Sequence, residues 1–161
     1  MVIKKNTHAP LRFPKLLIGE VFIDAVVEFT DSCRYDVGED QLDVNKLFGI
    51  GYFPTHHTNS VRFGWRYDKN VDKIEILAYY YLNGDRHFDT LTWADIGVSY
   101  RYVIFIEPNN HTLCMGKKDI GSLFEVEYSV PVKRKSVGYL LRPYFGGNKK
   151  APHNIEIKIE L

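Results

Sequence analysis

Apolar and polar residues alternate along much of this chain with the two-residue period of half-buried strands. In EVFIDAVVEFT, Val21, Ile23, Ala25, Val27 and Phe29 share one face, and Glu20, Asp24 and Glu28 the other. The same alternation predicts strands over 59–68, 73–82, 99–107, 123–130, 136–145 and 154–161. Turn chemistry separates them at Asp36-Val37-Gly38, Tyr67-Asp68-Lys69-Asn70, Asn83-Gly84-Asp85, Pro108-Asn109-Asn110 and Gly146-Gly147-Asn148. Of these, Asn83-Gly84 is a strong hairpin signal. No amphipathic helix, heptad or repeat interrupts the series, although QLDVNKLFG, 41–49, has room for one helical turn. About ten short strands at regular spacing predict an all-β, antiparallel β-sandwich. Both ends of the chain read as strands, so the first and last should share a sheet, and a jelly roll meets that description best.

Composition narrows the reading. A chain of 161 residues, 45% hydrophobic and 25% charged, suits one domain over 1–161. Lys+Arg 21 against Asp+Glu 20 leaves a net charge of +1, which argues against general attraction to nucleic acid or to an acidic membrane. Lys133, Arg134, Lys135, Lys149 and Lys150 fall at turns and read as solvated charge. Eleven Tyr, ten Phe and two Trp serve sheets and sugar-stacking surfaces alike. Cys33 and Cys114 lie in strand-like stretches and read as two buried thiols rather than a disulfide. The chain as given contains no signal-peptide pattern and no bilayer-spanning run, so a soluble protein is expected.

The stretch NSVRFGWRYD, 59–68, raises the chemical question. As a strand it sets Arg62, Gly64 and Arg66 on one face and Phe63 and Trp65 on the core side. Gly64 then leaves a gap between two guanidiniums. In the next strand Ile74, Ile76, Ala78, Tyr80 and Leu82 form the core side and leave Glu75, Leu77, Tyr79 and Tyr81 opposite. A hairpin through YDKNVD brings Arg62, Arg66, Tyr79 and Tyr81 to one sheet face. Arginine forks hold carboxylates and tyrosine rings offer flat apolar surface with a hydroxyl, a combination suited to a uronic-acid sugar chain. The plainer alternative pairs Arg62 with Glu75 and leaves the tyrosines as surface residues.

Two further clusters invite metal or base chemistry. Adjacent residues of an extended segment point oppositely, so His56 and His57 do not suit one metal. His57, near Ser60, is the better candidate for a neutralising or general-base role. Asp31, Asp36, Glu39, Asp40 and Asp43 could ligate a structural calcium ion, with a solvated acidic loop as the simpler reading. No other cofactor and no catalytic metal are expected.

Lys46-Leu47-x-Gly49, Ser60-x-Arg62-x-x-Trp65-Arg66, Glu75-x-x-x-Tyr79 and Tyr144-Phe145-Gly146-Gly147 with Ala151-Pro152 follow in this order. The order resembles the concanavalin A-like jelly rolls of polysaccharide lyases, above all glucuronan and alginate lyases. Their chains carry K-L-P-G, S-T-R-x-M-W-R, E-x-Y-x-Y and F-F-G-G…A-P. The likeness covers about 46 to 154, two-thirds of the chain. It implies a concave sheet with Arg62 and Tyr79 facing a glycan groove, and it adjoins Arg142 and Tyr144 to the same groove. It also implies a tyrosine that transfers the proton while Lys and Arg neutralise the uronate carboxylate, which points to Lys46, Ser60, Arg62 and Tyr79. Phe48 replaces the proline of K-L-P-G, and Leu77 replaces the first tyrosine of E-x-Y-x-Y unless the register slips to use Tyr79 and Tyr81.

Three functions remain open on these residues. The first is a non-catalytic module that recognises an acidic polysaccharide through Arg62, Arg66, Tyr79, Tyr81, Arg142, Tyr144 and His57. The second is a lyase that cleaves polyuronate by β-elimination with Lys46, Ser60, Arg62 and Tyr79. The third is an accessory virion or surface structural protein with a protein partner.

Overall fold

The EVFIDAVVEFT alternation folds as strand β3 (Phe22–Phe29), with Ile23, Ala25, Val27 and Phe29 all buried. A computed structural model describes residues 1–10, 15–118 and 123–161. Strands β1 (Val2–Ile3), β3, β8 (Ser99–Ile106), β9 (His111–Lys117), β10 (Val126–Val130) and β12 (Ile155–Glu160) form one sheet in the order β1-β12-β3-β8-β9-β10. Strands β2 (Lys15–Ile18), β4 (Asn45–Tyr52), β5 (Ser60–Asp68), β6 (Lys73–Leu82), β7 (Asp85–Ala94) and β11 (Val137–Leu141) form the second in the order β2-β11-β4-β5-β6-β7. Every pairing is antiparallel. The first and last strands share a sheet, as the sequence predicts. Among the described residues no α-helix occurs, and no helix is long and apolar enough to cross a membrane.

The sheets stack through aromatic side chains. Phe48 and Phe63 of the second sheet meet Tyr102 of the first, and Trp65 meets Phe29 at 5.3 Å between ring centroids. Fully burying each such side chain is worth about 1.5–3 kcal/mol, so this layer is the main source of stability. Cys33 and Cys114 are free and buried, and burial pushes the Cys33 thiol up to about 12, which keeps it protonated and unreactive.

Two strands differ from the expectation. The stretch expected to make a helical turn instead gives a 3-10 turn, Gly38–Leu42, followed by β4. β4 escapes the two-residue pattern because its register shifts between Lys46 and Gly49, so Leu47 and Phe48 are both buried in succession. β7 escapes it because it is the edge of its sheet, and its first six residues are all exposed.

Candidate functional site

The outer face of the second sheet is ordered in rows across its strands. In the β5–β6 hairpin Ser60 lies opposite Tyr81, Arg62 opposite Tyr79, Gly64 opposite Leu77 and Arg66 opposite Glu75. β7 extends the rows, with Arg86 beside Tyr81, Phe88 beside Tyr79, Thr90 beside Leu77 and Trp93 beside Glu75. Leu77, Tyr79 and Tyr81 therefore share the outer face without a slip of register. Leu77 is fully buried against Val44, while Tyr79 and Tyr81 continue the row at 5.9 Å between rings.

The irregularity in β4 supplies the rest of the cluster. Its extra residue brings both Lys46 and Gly49 to the outer face although they are three apart. Gly49 lies against Arg62 so closely that a Cβ there would sit 2.1 Å from the Val61 carbonyl oxygen, so only glycine lets the two strands meet. A bridge pairs Lys46 with Tyr144, the Lys46 amide donating to the Tyr144 carbonyl at 2.8 Å and the Tyr144 amide returning a bond at 2.9 Å. His8 stacks flat on the Tyr144 ring at 4.9 Å between centroids. The Lys46 ammonium donates to the Gly146 carbonyl at 3.1 Å, with the Tyr79 and Tyr144 rings 5.1 and 5.6 Å away.

Arg62 is the anomaly of the site. It is only 6% exposed, yet it makes no hydrogen bond or ion pair among the described residues, and its Nε is sealed from solvent with no partner. The Tyr79 ring, 5.7 Å from its guanidinium carbon, offsets part of that cost as a cation–π contact. Burial lowers the Arg62 pKa to about 10, which still leaves it charged near neutrality. Burial first, and the Arg62 charge second, depress Lys46 to about 8. Burial and the neighbouring Tyr81 hydroxyl push Tyr79 up to about 12, so its phenol holds its proton. A buried cation without a counterion is costly, and an anion entering here would remove that cost. A cavity of about 90 Å³ opens beside Lys46, Tyr79, Arg86 and Phe88. Asp43 also lines it, but accepts the Gly147 and Asn148 amides at 3.2 Å each.

The histidine pair closes the other end of the cluster. His56 and His57 lie in a turn rather than an extended segment, so their rings come together at 4.2 Å instead of pointing apart. His57 meets Tyr81 edge-on at 5.1 Å, and the His56 amide donates to the Tyr139 hydroxyl oxygen at 2.9 Å. Burial, then the Arg62 and His57 charges, depress His56 to about 4, so it is neutral near pH 7. Ser60, in the same row as Tyr81, is fully buried, and its Oγ has no partner among the described residues. Among the described residues no group of three potential metal ligands occurs.

The structure thus gathers Lys46, Ser60, Arg62, Tyr79, Tyr81, Tyr144 and His57 on one face. Arg66 shares that face two rows away but is not free, and Arg142 does not reach it. Arg66 is closed by a forked pair with Glu75, at 2.5 and 3.0 Å, because Glu75 lies directly across the hairpin; it is Arg66, not Arg62, that takes Glu75. The gap at Gly64 is filled by Val44, whose Cγ1 would lie 2.6 Å from an added Cβ. Arg142 follows Leu141, the outward partner of Gly49, and so turns to the opposite side, where it lines a separate cavity with Leu140, Leu17 and Phe22. In the acidic loop, Asp31 pairs with Arg34, Asp36 with Lys69, and Asp40 with Lys149, so those carboxylates already hold cations.

Arg86, Phe88 and Tyr139 belong to the face without having been singled out. The Asn83-Gly84 turn held the signal, since a tight hairpin there continues the sheet into Arg86-x-Phe88.

No protein-family model matches the chain, and no curated protein matches it. Solved structures do. A functionally unknown protein from Saccharomyces cerevisiae superposes with a TM-score of 0.57 at 8% identity, over 91% of this chain and 72% of that one. The alginate lyase from Klebsiella pneumoniae superposes with a TM-score of 0.53 at 12% identity, over 86% of this chain and 59% of the lyase. A looser match, TM-score 0.49 at 13% identity, is tailspike protein 2 of Escherichia coli O157:H7 bacteriophage CAB120, over 98% of this chain and 21% of that one. What the chain shares with the first two is its fold, an antiparallel β-sandwich of jelly-roll type.

Proposed function

We propose that this protein is a carbohydrate-binding sandwich of the concanavalin A-like type that recognises an acidic polysaccharide on the outer face of its second sheet. The observation that carries the reading is Arg62, a nearly buried guanidinium with no carboxylate partner among the described residues, flanked by Lys46 and by the Tyr79 and Tyr81 rings. A uronate supplies both complements, a carboxylate for the cations and a flat ring face for the tyrosines. The likeness of fold to an alginate lyase supports the same class of ligand.

A second reading has its own observation. With Lys46 depressed to about 8, part of its population is a neutral amine beside a carboxylate-binding arginine, the setting in which a base removes the proton next to a neutralised carboxylate. That reading is a polysaccharide lyase acting by β-elimination. Ultraviolet absorbance during incubation with polyuronates decides between them, since elimination creates a conjugated unsaturated uronate. Binding by calorimetry with no rise in absorbance is the result expected of a binding module; a rise abolished by Lys46→Met would make the protein a lyase.

The pH dependence follows from Lys46. Its ammonium is present below about 8 and lost above it, while Arg62 stays charged to about 10. Polyuronate affinity should fall by about tenfold as the pH rises through the Lys46 value, the worth of one charge-assisted hydrogen bond. Calorimetric titration of wild type and Lys46→Met on both sides of that value checks it, and the variant should lose the step. A lyase with Lys46 as base would instead turn over faster across the same window.

A further inference from the structure

Beyond the arginine cluster, the same sheet face carries an exposed tryptophan for which neither the fold nor the cluster has a use. Trp93, on β7 beside Glu75, is 45% exposed on the outer face, whereas the next residue, Ala94, is fully buried. It borders a cavity of about 300 Å³ lined also by Leu42, Arg66, Tyr67, Asn70 and Glu75. Leu42 is 72% exposed and lines both this cavity and the one beside Lys46 and Tyr79, so the two are neighbours along one groove with Leu42 as the ridge between them.

The chemistry of the two compartments differs. In the second, Arg66 is closed by Glu75, and Lys69 by Asp36 at 2.8 Å. No cation there is free for a carboxylate among the described residues. What remains is an aromatic face, an exposed Asn70 whose side-chain amide makes no hydrogen bond among the described residues, and an apolar ridge. Flat aromatic surface beside an amide suits the C–H face and hydroxyls of a pyranose. Glu75 and Tyr79 are four residues apart on β6, which separates their rows by roughly 13 Å at 3.3 Å per strand residue. That is more than one sugar ring spans, so no single ring occupies both places.

We propose that Trp93 is the stacking platform of a second subsite, which takes a further ring of the same glycan whose carboxylate Arg62 holds. The ligand is therefore an oligosaccharide of several residues, read by charge at one end of the groove and by stacking at the other. This rests on the acidic-polysaccharide reading above.

The two tryptophans make the test specific, because Trp65 is fully buried and Trp93 is not. Quenching of tryptophan fluorescence by acrylamide in the intact protein therefore reports on Trp93. A polyuronate hexasaccharide should shield Trp93 from the quencher, and a disaccharide should bind without shielding it. Trp93→Ala should weaken hexasaccharide binding about tenfold and leave disaccharide binding unchanged. Arg62→Ala should weaken both. Hexasaccharide binding that leaves Trp93 fully quenchable and is unaltered by Trp93→Ala would overturn the second subsite while the carboxylate reading stands. Failure of the wild-type protein to bind polyuronate of any length would overturn both.

Discussion

Replacing Arg62 with alanine should weaken polyuronate binding by at least about 30-fold, while the thermal unfolding midpoint stays level or rises. Truncating one member of a desolvated charge pair costs about 2–5 kcal/mol in binding, and 1.4 kcal/mol is a factor of ten. Stability behaves differently because no folded-state partner is lost. Arg62 has no hydrogen bond or ion pair among the described residues, where its cation–π contact is with the Tyr79 ring. Removing a buried, unpaired cation relieves a desolvation cost that the folded protein otherwise carries. Arg62→Lys separates charge from geometry: it retains the cation but not the planar fork, so affinity should fall between wild type and Arg62→Ala. Arg66→Ala gives the opposite pattern, since its guanidinium is held by Glu75; stability falls and disaccharide binding persists. A cooperative loss of structure in Arg62→Ala, seen by circular dichroism, would make Arg62 a structural residue and remove it from the site.

Trp65→Ala should lower stability by about 3–5 kcal/mol, the cost of emptying a large buried aromatic site. At this chain length that corresponds to a fall of about 6–20 °C in the unfolding midpoint. Trp65 has no exposed surface and touches Phe29 at 5.3 Å, Tyr35 at 5.9 Å and Phe145 at 6.2 Å between ring centroids. Phe29 belongs to the opposite sheet, so the indole ties the two layers together behind the Gly64 and Arg66 rows. Its Nε1 has no partner among the described residues. Trp65→Phe therefore loses volume but no hydrogen bond, and it should cost markedly less than the alanine variant. Chemical denaturation of both variants checks the order, and equal costs would mean that packing at this position is not what holds the layers.

The hairpin that carries the site was legible in the sequence almost to the residue. Alternation on both sides of Asp68-Lys69-Asn70 fixed which side chains of β5 and β6 face outward, so that Arg62, Arg66, Tyr79 and Tyr81 share one face. What the alternation could not show was carried by backbone irregularity or by position. The extra residue between Lys46 and Gly49 hides β4, because two successive core residues break the period that marks a strand. The resemblance to lyase motifs still placed Lys46 in the site, where period alone would not have. β7 was missed because an edge strand needs few apolar residues, although it supplies Arg86, Phe88 and Trp93 to the face. Arg142 keeps the alternation of β11 and so turns away from the site; it is Tyr144 that departs from the period, because the strand ends at Leu141 and the chain then bridges outward to Lys46. Whether Arg62 or Arg66 takes Glu75 was a matter of register, decided by the directly opposite position.

The central claim is that a carboxylate completes the charge left open at Arg62. Calorimetric titration of the protein with a polyuronate oligosaccharide and with its carboxyl-reduced, neutral counterpart isolates that one group, since the two share every ring and hydroxyl outside it. The account predicts saturable binding of the uronate and little or none of the reduced sugar. Equal affinity for both would show that the face reads rings rather than charge, and would contradict the assignment of Arg62 and Lys46 as the carboxylate site.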